Sequence, residues 1–172
     1  MNIRQEIKEL ILNPSEINHV NIAQIFNKLK RKNVDYADMY FQYSKNEYFA
    51  IEDGQVKNTT FNIDNGCGLR AVSGEKTAFA YTDEVSLKTL QDSSDIVKAL
   101  ESSGQNKSIP LIQNKTQRAL YIQSDPTLAP TLEKIEILKK IEKMAFAKDA
   151  RIKKVNASIA AEYDAILIVN SE

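Results

Sequence analysis

Residues 36–82 read YADMYFQYSKNEYFAIEDGQVKNTTFNIDNGCGLRAVSGEKTAFAYT, and the hydrophobic pattern of this stretch decides the expected fold. Met39, Phe41 and Tyr43 alternate with mainly polar neighbours, which is the two-residue period of a β-strand. The stretch is divided by three turn signals, Asp53-Gly54, Asn65-Gly66 and Ser73-Gly74-Glu75. Short strands between such turns predict an antiparallel meander over about residues 38–82. One face of such a sheet can be buried while the other binds a partner.

The flanking sequence predicts helices. Apolar residues recur at helical spacing at four places: positions 3, 7, 10 and 11; positions 22, 25, 26 and 29; positions 87, 90, 97 and 100; and positions 135, 138, 141 and 145. We expect Asp83 or Ser86 to cap the third helix, Gly104 to end it, and Thr131 to cap the fourth. A long connection over 105–130 separates these two helices.

The end of the sequence is extended again. Residues 155–159 alternate in character, and the run at 166–169 predicts a second, fully buried strand. The fold class is therefore α+β, a mostly antiparallel meander with packed helices and a C-terminal strand pair. The turn-like residues after that buried run favour a chain cut at a domain boundary.

Composition excludes several classes of protein. The 172 residues carry 23 basic and 23 acidic side chains, so the chain lacks the positive footprint of a nucleic-acid-binding protein. No apolar run approaches the eighteen or so residues of a membrane span. The first twelve residues form an amphipathic pattern rather than a signal peptide, and one cysteine allows no intrachain disulfide. We expect a soluble cytoplasmic protein.

Residues for catalysis are scarce. A zinc peptidase needs two or three nitrogen, sulfur or carboxylate ligands at fixed spacing, and this chain has one histidine, His19, and one cysteine, Cys67. We expect His19 to be a surface or capping residue at a helix start and Cys67 to be a packed, inert thiol. No catalytic residue and no metal ligand is predicted in this chain.

The chain resembles a known family over nearly its whole length, and one set of residues carries most of the resemblance. It consists of Tyr36-Ala37-Asp38-Met39-Tyr40-Phe41-Gln42 and the string Gly66-Cys67-Gly68-Leu69-Arg70-Ala71-Val72-Ser73-Gly74-Glu75-Lys76-Thr77, with Ser124-Asp125-Pro126 further on. These residues resemble the amino-terminal domain of the TldD/PmbA family, also called modulators of DNA gyrase. The string at 73–77 is closer to TldD-type members than to their PmbA/TldE-type paralogues.

The resemblance implies a zinc metallopeptidase, a hydrolase, that works with a paralogous PmbA/TldE-like subunit on extended peptides. It places the zinc ligands in a carboxy-terminal domain that would follow residue 172. Residues 1–172 are then one non-catalytic N-terminal domain that guides substrate and contacts the second subunit. Arg70, Glu75 and Lys76 are the candidate residues for the substrate chamber or the subunit contact.

Two alternatives remain open at this stage. The chain could be an autonomous protein-interaction module with no peptidase attached, which the reading frame after residue 172 would decide. Arg70, Glu75 and Lys76 could equally form a solvated hairpin, in which an ordinary surface ion pair contributes little to stability.

Overall fold

The computed structural model describes residues 3–30, 34–97 and 124–171. In this part of the chain the elements are α1 (Ile3–Ile11), α2 (His19–Lys30), β1 (Tyr36–Glu52), β2 (Gln55–Ser73), β3 (Lys76–Thr82), α3 (Leu87–Val97), α4 (Thr131–Phe146) and β4 (Asn156–Asn170), with short 3-10 turns at Asn13–Ser15 and Pro126–Leu128. The strands form one four-stranded sheet in the order β3-β2-β1-β4. The expected α+β class with an antiparallel meander is confirmed.

The meander has three long strands, fewer than the short strands expected between the three turn signals. β1 has 17 residues and β2 has 19, so the strands expected at 56–63 and 67–72 are one strand. The prediction of a turn at Asn65-Gly66 is wrong, because both residues lie within β2 and neither has a positive φ. Gly66 instead leaves room for the Tyr81 side chain, since a Cβ would lie 2.5 Å from the Tyr81 hydroxyl.

The other two turns are confirmed. Asp53 has φ 51° and Gly54 has φ 69°. Positive φ at both central residues is the signature of the type I′ turn, whose twist matches that of two antiparallel strands. Gly74 has φ 56°, and its N–H donates to the Asp35 carboxylate at 2.6 Å.

The C-terminal strand pair is instead the single strand β4, which pairs with β1. The prediction of a fully buried run at 166–169 is also wrong. Ala165 and Leu167 are buried, whereas Ile166 and Ile168 are 43% and 63% exposed. Alternating exposure is expected for a strand that is covered on one face only.

The chain divides into two compact units, one of residues 1–43, 64–118 and 165–172 and the other of residues 44–63 and 119–164. In the first unit α3 packs on β3 and against α2. The largest fully buried side chains in this unit are Leu29, Met39, Phe41, Leu69 and Leu90. Asn18 caps α2 by accepting from the Val20 and Asn21 N–H groups.

Ser86 caps α3, as expected, because its hydroxyl accepts from the Thr89 N–H while the Thr89 hydroxyl accepts from the Ser86 N–H. The expected helix end at Gly104 and the connection up to residue 123 lie outside the described residues.

In the second unit α4 packs Leu138 against Phe49, Ile51 and Ala157. Its buried face also contains Lys134 and Glu142, while Ile141 is 48% exposed, so the expected apolar face of α4 is only partly right. Thr131 is the first helical residue and not the cap, which is Pro130 without a side-chain hydrogen bond. The one-domain assignment of residues 1–172 stays a prediction.

Candidate functional site: an open sheet face and a free strand edge

One face of the sheet in the first unit carries large side chains that remain exposed. Phe79 and Tyr81 on β3 are 61% and 65% exposed, alongside Ile166 and Ile168 on β4. We name this surface the open face and define it by Tyr36, Asp38, Arg70, Phe79, Tyr81, Ile166 and Ile168. Their neighbours along the strands are buried, for example Ala37, Leu69 and Ala80. Phe79 and Tyr81 form one exposed pair on β3, and Ile166 and Ile168 form another on β4, and clustered exposed apolar side chains often mark interaction surfaces.

Arg70 lies near the middle of the open face, directly opposite Phe79 in the β2–β3 register. Its guanidinium forms an ion pair with the Asp38 carboxylate, to which Nε donates at 3.1 Å, and it lies 5.8 Å from the centre of the Tyr36 ring. The hydrogen bond to Asp38 raises the pKa of Arg70. Burial, and next the hydrogen bond to Asp38, raises the pKa of Tyr36. Asp38 therefore holds the Arg70 guanidinium in position, and 48% of the Arg70 side chain remains exposed to solvent.

Glu75 and Lys76 lie at the exposed tip of the β2–β3 hairpin, where Lys76 is opposite Ser73. Arg70 lies three residues before Ser73 on β2, which corresponds to about 10 Å at the usual rise of a strand. The structure thus places the three candidate residues on one hairpin but gives Arg70 a different partner, Asp38. The sequence reasoning missed Asp38 and Tyr36, although their alternation in Tyr36-Ala37-Asp38 was a usable signal.

Gly66 and Gly68 let two aromatic rings lie against β2. A Cβ on Gly68 would lie 2.8 Å from the Phe79 ring, just as one on Gly66 would meet Tyr81. These two glycines of the family string therefore serve the aromatic side chains of β3 and not a turn.

The second unit holds α4 on the sheet through polar contacts. The Lys134 ammonium forms an ion pair with Glu47, both side chains being about 5% exposed (6% and 5%), and it donates to the Thr127 carbonyl at 3.2 Å. The Gly54 N–H donates to the Glu142 carboxylate at 3.0 Å. Removing one partner of such a buried pair is strongly destabilising, because it leaves the other charge buried without compensation.

Asp125 of the Ser124-Asp125-Pro126 motif has a structural role in the same unit. Its carboxylate accepts from the Thr127 N–H at 2.8 Å and pairs with Lys45 at 2.9 Å. Burial alone would raise the pKa of Asp125, but the hydrogen bonds from Thr127 and Lys45 outweigh it and lower that pKa.

The second unit also has a strand segment with an unpaired side. β3 pairs with β2 only from Cys67 to Ser73, so within the described residues no strand lies on the outer side of residues 55–63 of β2. All nine residues are exposed. We name residues 55–63 the free edge. A cavity of about 380 Å³ lies nearby in this unit, lined by Asn46, Glu47, Tyr48, Thr60, Ala160, Ala161 and Glu162.

The single cysteine and histidine are placed as expected. Cys67 is 1% exposed, and burial raises the pKa of its thiol to about 11, which disfavours the reactive thiolate. His19 is exposed at the first residue of α2. Among the described residues no three or more His, Cys, Asp or Glu side chains lie together so as to hold a metal ion. In the same residues no helix is both long and apolar enough to cross a membrane.

Two sequence families match successive stretches of the chain, and each stretch includes residues of both compact units. The family described as PmbA/TldA metallopeptidase domain 1 matches residues 37–106, and the one described as PmbA/TldA metallopeptidase central domain matches residues 124–172. The chain belongs to the PmbA/TldD family. The first match contains most of the open face and the free edge, and the second contains α4 and β4.

Curated relatives agree with this assignment. The chain is 38% identical over 170 residues to the metalloprotease TldD homologue of Haemophilus influenzae, covering 97% of this chain and 35% of the relative. It is 31% identical over 167 residues to the TldD homologue of one Buchnera aphidicola strain, covering 96% and 35%. The chain thus spans about a third of the length of the curated relatives it matches, and it is homologous to the N-terminal part of such proteins.

Solved structures share the fold. A Thermotoga maritima protein described as a modulator of DNA gyrase superimposes with a TM-score of 0.66 at 15% identity, over 88% of this chain and 35% of its own. TldE from Thermococcus kodakarensis gives a TM-score of 0.64 at 13% identity, over 88% and 35%.

Proposed function

We propose that this chain is the non-catalytic N-terminal part of a TldD-like zinc metallopeptidase, and that its open face contacts another polypeptide chain. That chain is either the paralogous PmbA/TldE-like subunit or a peptide in the substrate chamber. In this proposal zinc belongs to the part of the protein that would follow residue 172. The cytoplasm is its proposed compartment, since a lone cysteine is typical of a reducing environment.

The observation that carries the proposal is the composition of the open face. Phe79, Tyr81 and Ile168 are each more than 60% exposed around an arginine that Asp38 holds in place. Aromatic residues and arginine are enriched where protein chains meet, and an arginine with a fixed position loses little freedom on binding. The names of the relatives, metalloprotease TldD homologue and TldE, support the peptidase and its two-subunit assembly.

The test is the double variant Arg70→Ala, Lys76→Ala in the full-length protein. We expect weaker co-elution with the PmbA/TldE-like subunit or slower peptide cleavage, at an unchanged melting temperature. Loss of co-elution identifies a subunit contact, and loss of cleavage alone identifies the substrate chamber.

A matched control removes the same charges elsewhere. Arg151→Ala, Lys148→Ala also replaces one arginine and one lysine, both exposed, and Arg151 likewise pairs with an aspartate, Asp149. This control should assemble and cleave as wild type does. The proposal fails if the Arg70, Lys76 variant behaves like the control, which would leave these residues as a solvated hairpin.

A further inference from the structure

The helix α4 carries charged side chains on its buried side and apolar side chains on an exposed side. Leu138 shares the buried side with two charged residues, Lys134 and Glu142. Three apolar side chains are about half exposed instead: Ile137, Ile141 and Met144, at 50%, 48% and 56%. A surface helix normally turns its apolar stripe to the core and its charges to solvent. The arrangement in α4 is that of a helix packed on two sides.

The three exposed apolar residues form one continuous strip. They follow one another at spacings of four and three residues, which places their side chains on one side of the helix. We name Ile137, Ile141 and Met144 the α4 flank. Ile141 lies three residues after Leu138, so the flank adjoins the buried side. A surface that covers the flank would therefore extend the apolar contact that Leu138 already makes with the sheet.

We propose that the α4 flank packs permanently against the remainder of its own polypeptide, the part that would follow residue 172. The chain covers 35% of the length of each curated relative described above, so about two thirds of such a protein is available to supply the covering surface. The inference rests on the proposed function for the existence of that part.

The composition of the α4 flank favours a permanent contact over a separable one. Interfaces that do not dissociate resemble a protein core, whereas separable ones are enriched in aromatic residues and arginine. The flank has two isoleucines and one methionine, with no aromatic ring and no guanidinium. The open face has the other composition, with Phe79, Tyr81 and Arg70. The open face thus fits a separate chain, and the α4 flank fits the same chain.

The charged residues beside the α4 flank agree with such a contact. Glu133 lies four residues before Ile137, and Lys140 lies four residues before Met144, so both border the flank. Both are exposed, and they carry opposite charges. Partners that are attracted from solution are normally steered by a surface of one predominant sign. Contact at the flank depends instead on apolar area inside a polar border.

Met144 reports directly whether the α4 flank is covered, because peroxide converts an accessible methionine to its sulfoxide. The 172-residue chain and the full-length protein are each treated alone with hydrogen peroxide, and sulfoxide formation is followed by peptide mass spectrometry. We expect Met144 to oxidise at least tenfold more slowly in the full-length protein. Met39 is fully buried and should be slow in both, which makes it the internal control. Equal oxidation rates of Met144 in the two proteins would overturn the proposal.

Other occupants of the α4 flank give different results in the same experiment. A second copy would protect Met144 in the 172-residue chain as the concentration rises. The PmbA/TldE-like subunit would protect Met144 of the full-length protein only after that subunit is added. Either result overturns the proposal. Neither subunit assembly nor cleavage is measured, so this test can fail while the Arg70, Lys76 test of the proposed function succeeds.

A double variant gives the reciprocal test. Ile137→Gln, Ile141→Gln makes the α4 flank polar with residues that form helices well. Limited trypsin digestion of the full-length protein measures how readily its N-terminal third separates from the rest. We expect at least about tenfold faster release of that third, because burying one isoleucine side chain shifts such an equilibrium by about tenfold or more. The same changes in the 172-residue chain should leave its urea midpoint unchanged, since both side chains are already exposed there.

The matched control is Ile96→Gln, Leu132→Gln. It also replaces two apolar side chains, which are 64% and 74% exposed and lie off the α4 flank. We expect the control to be digested at the wild-type rate. The proposal is contradicted if the flank variant is digested no faster than the control. It is also contradicted if the flank variant unfolds the 172-residue chain, because the flank would then be covered within these residues.

Discussion

Replacing Lys134 by methionine tests whether a buried ion pair fixes α4 to the sheet. Methionine keeps most of the apolar stem but removes the ammonium, so the Glu47 carboxylate, 5% exposed, stays buried without its cation. The Thr127 carbonyl also loses a donor. Breaking one side of a buried pair typically costs about 3–5 kcal/mol.

The assay is urea unfolding followed by circular dichroism. With a slope of about 2 kcal/mol per molar urea, that loss lowers the midpoint by about 1.5–2.5 M. The matched control is Lys28→Met, because Lys28 pairs with Asp95 at the surface with both side chains about half exposed (45% and 58%). An exposed pair contributes about 0.2–1 kcal/mol, so the control should move the midpoint by less than about 0.5 M.

The double variant Glu47→Met, Lys134→Met completes the cycle. It removes both charges, and an apolar pair of similar size is often as stable as the ion pair. We therefore expect it to recover most of the loss. The reasoning is refuted if Lys134→Met shifts the midpoint no more than Lys28→Met does, since the pair would then behave as though it were solvated.

Three further predictions follow from single residues. Burial raises the pKa of the Cys67 thiol to about 11, so Cys67 should react with iodoacetamide at pH 8 only after unfolding. Rapid labelling of the folded chain would show an accessible thiol. Asp125 has a lowered pKa when folded, so the stability it contributes is present above its unfolded value of about 4 and is lost as pH falls through the folded value. Asp125→Asn should therefore reduce the difference in urea midpoint between pH 6 and pH 3, and an unchanged difference would exclude this role. Gly68→Val should displace the Phe79 ring, which lies 2.8 Å from the Cβ position, and a crystal structure with that ring unmoved would contradict the proposed packing.

The sequence predicted the class of the fold because its main signals are local. Three of these signals depend on only a few neighbouring residues each, and all three are confirmed: the alternation at Met39 and Phe41, the Asp53-Gly54 turn and the Ser86 cap. Asn65-Gly66 has the same local signature as a turn. In the structure Gly66 lies within β2 and packs against Tyr81, fifteen residues away, and no local pattern encodes that contact.

The contacts of the candidate site residues likewise could not be predicted from local sequence. Arg70 was identifiable as a mid-strand cation, but its partner Asp38 lies 32 residues earlier and depends on the pairing of β1 with β2. The burial of Lys134 likewise depends on Glu47, 87 residues away. Helical periodicity favoured Ile141 for the buried face, because periodicity ranks apolar residues and does not detect a buried ion pair.

The most direct test of the proposed non-catalytic role is a proteolysis assay on the 172-residue chain. Unfolded casein is incubated with the chain in the presence of zinc, with and without a chelator, beside the full-length protein combined with its PmbA/TldE-like subunit as positive control. We predict no chelator-sensitive cleavage by the chain and clear cleavage by the full-length assembly. Chelator-sensitive cleavage by the 172-residue chain alone would contradict it, because a complete catalytic centre would then lie within these residues.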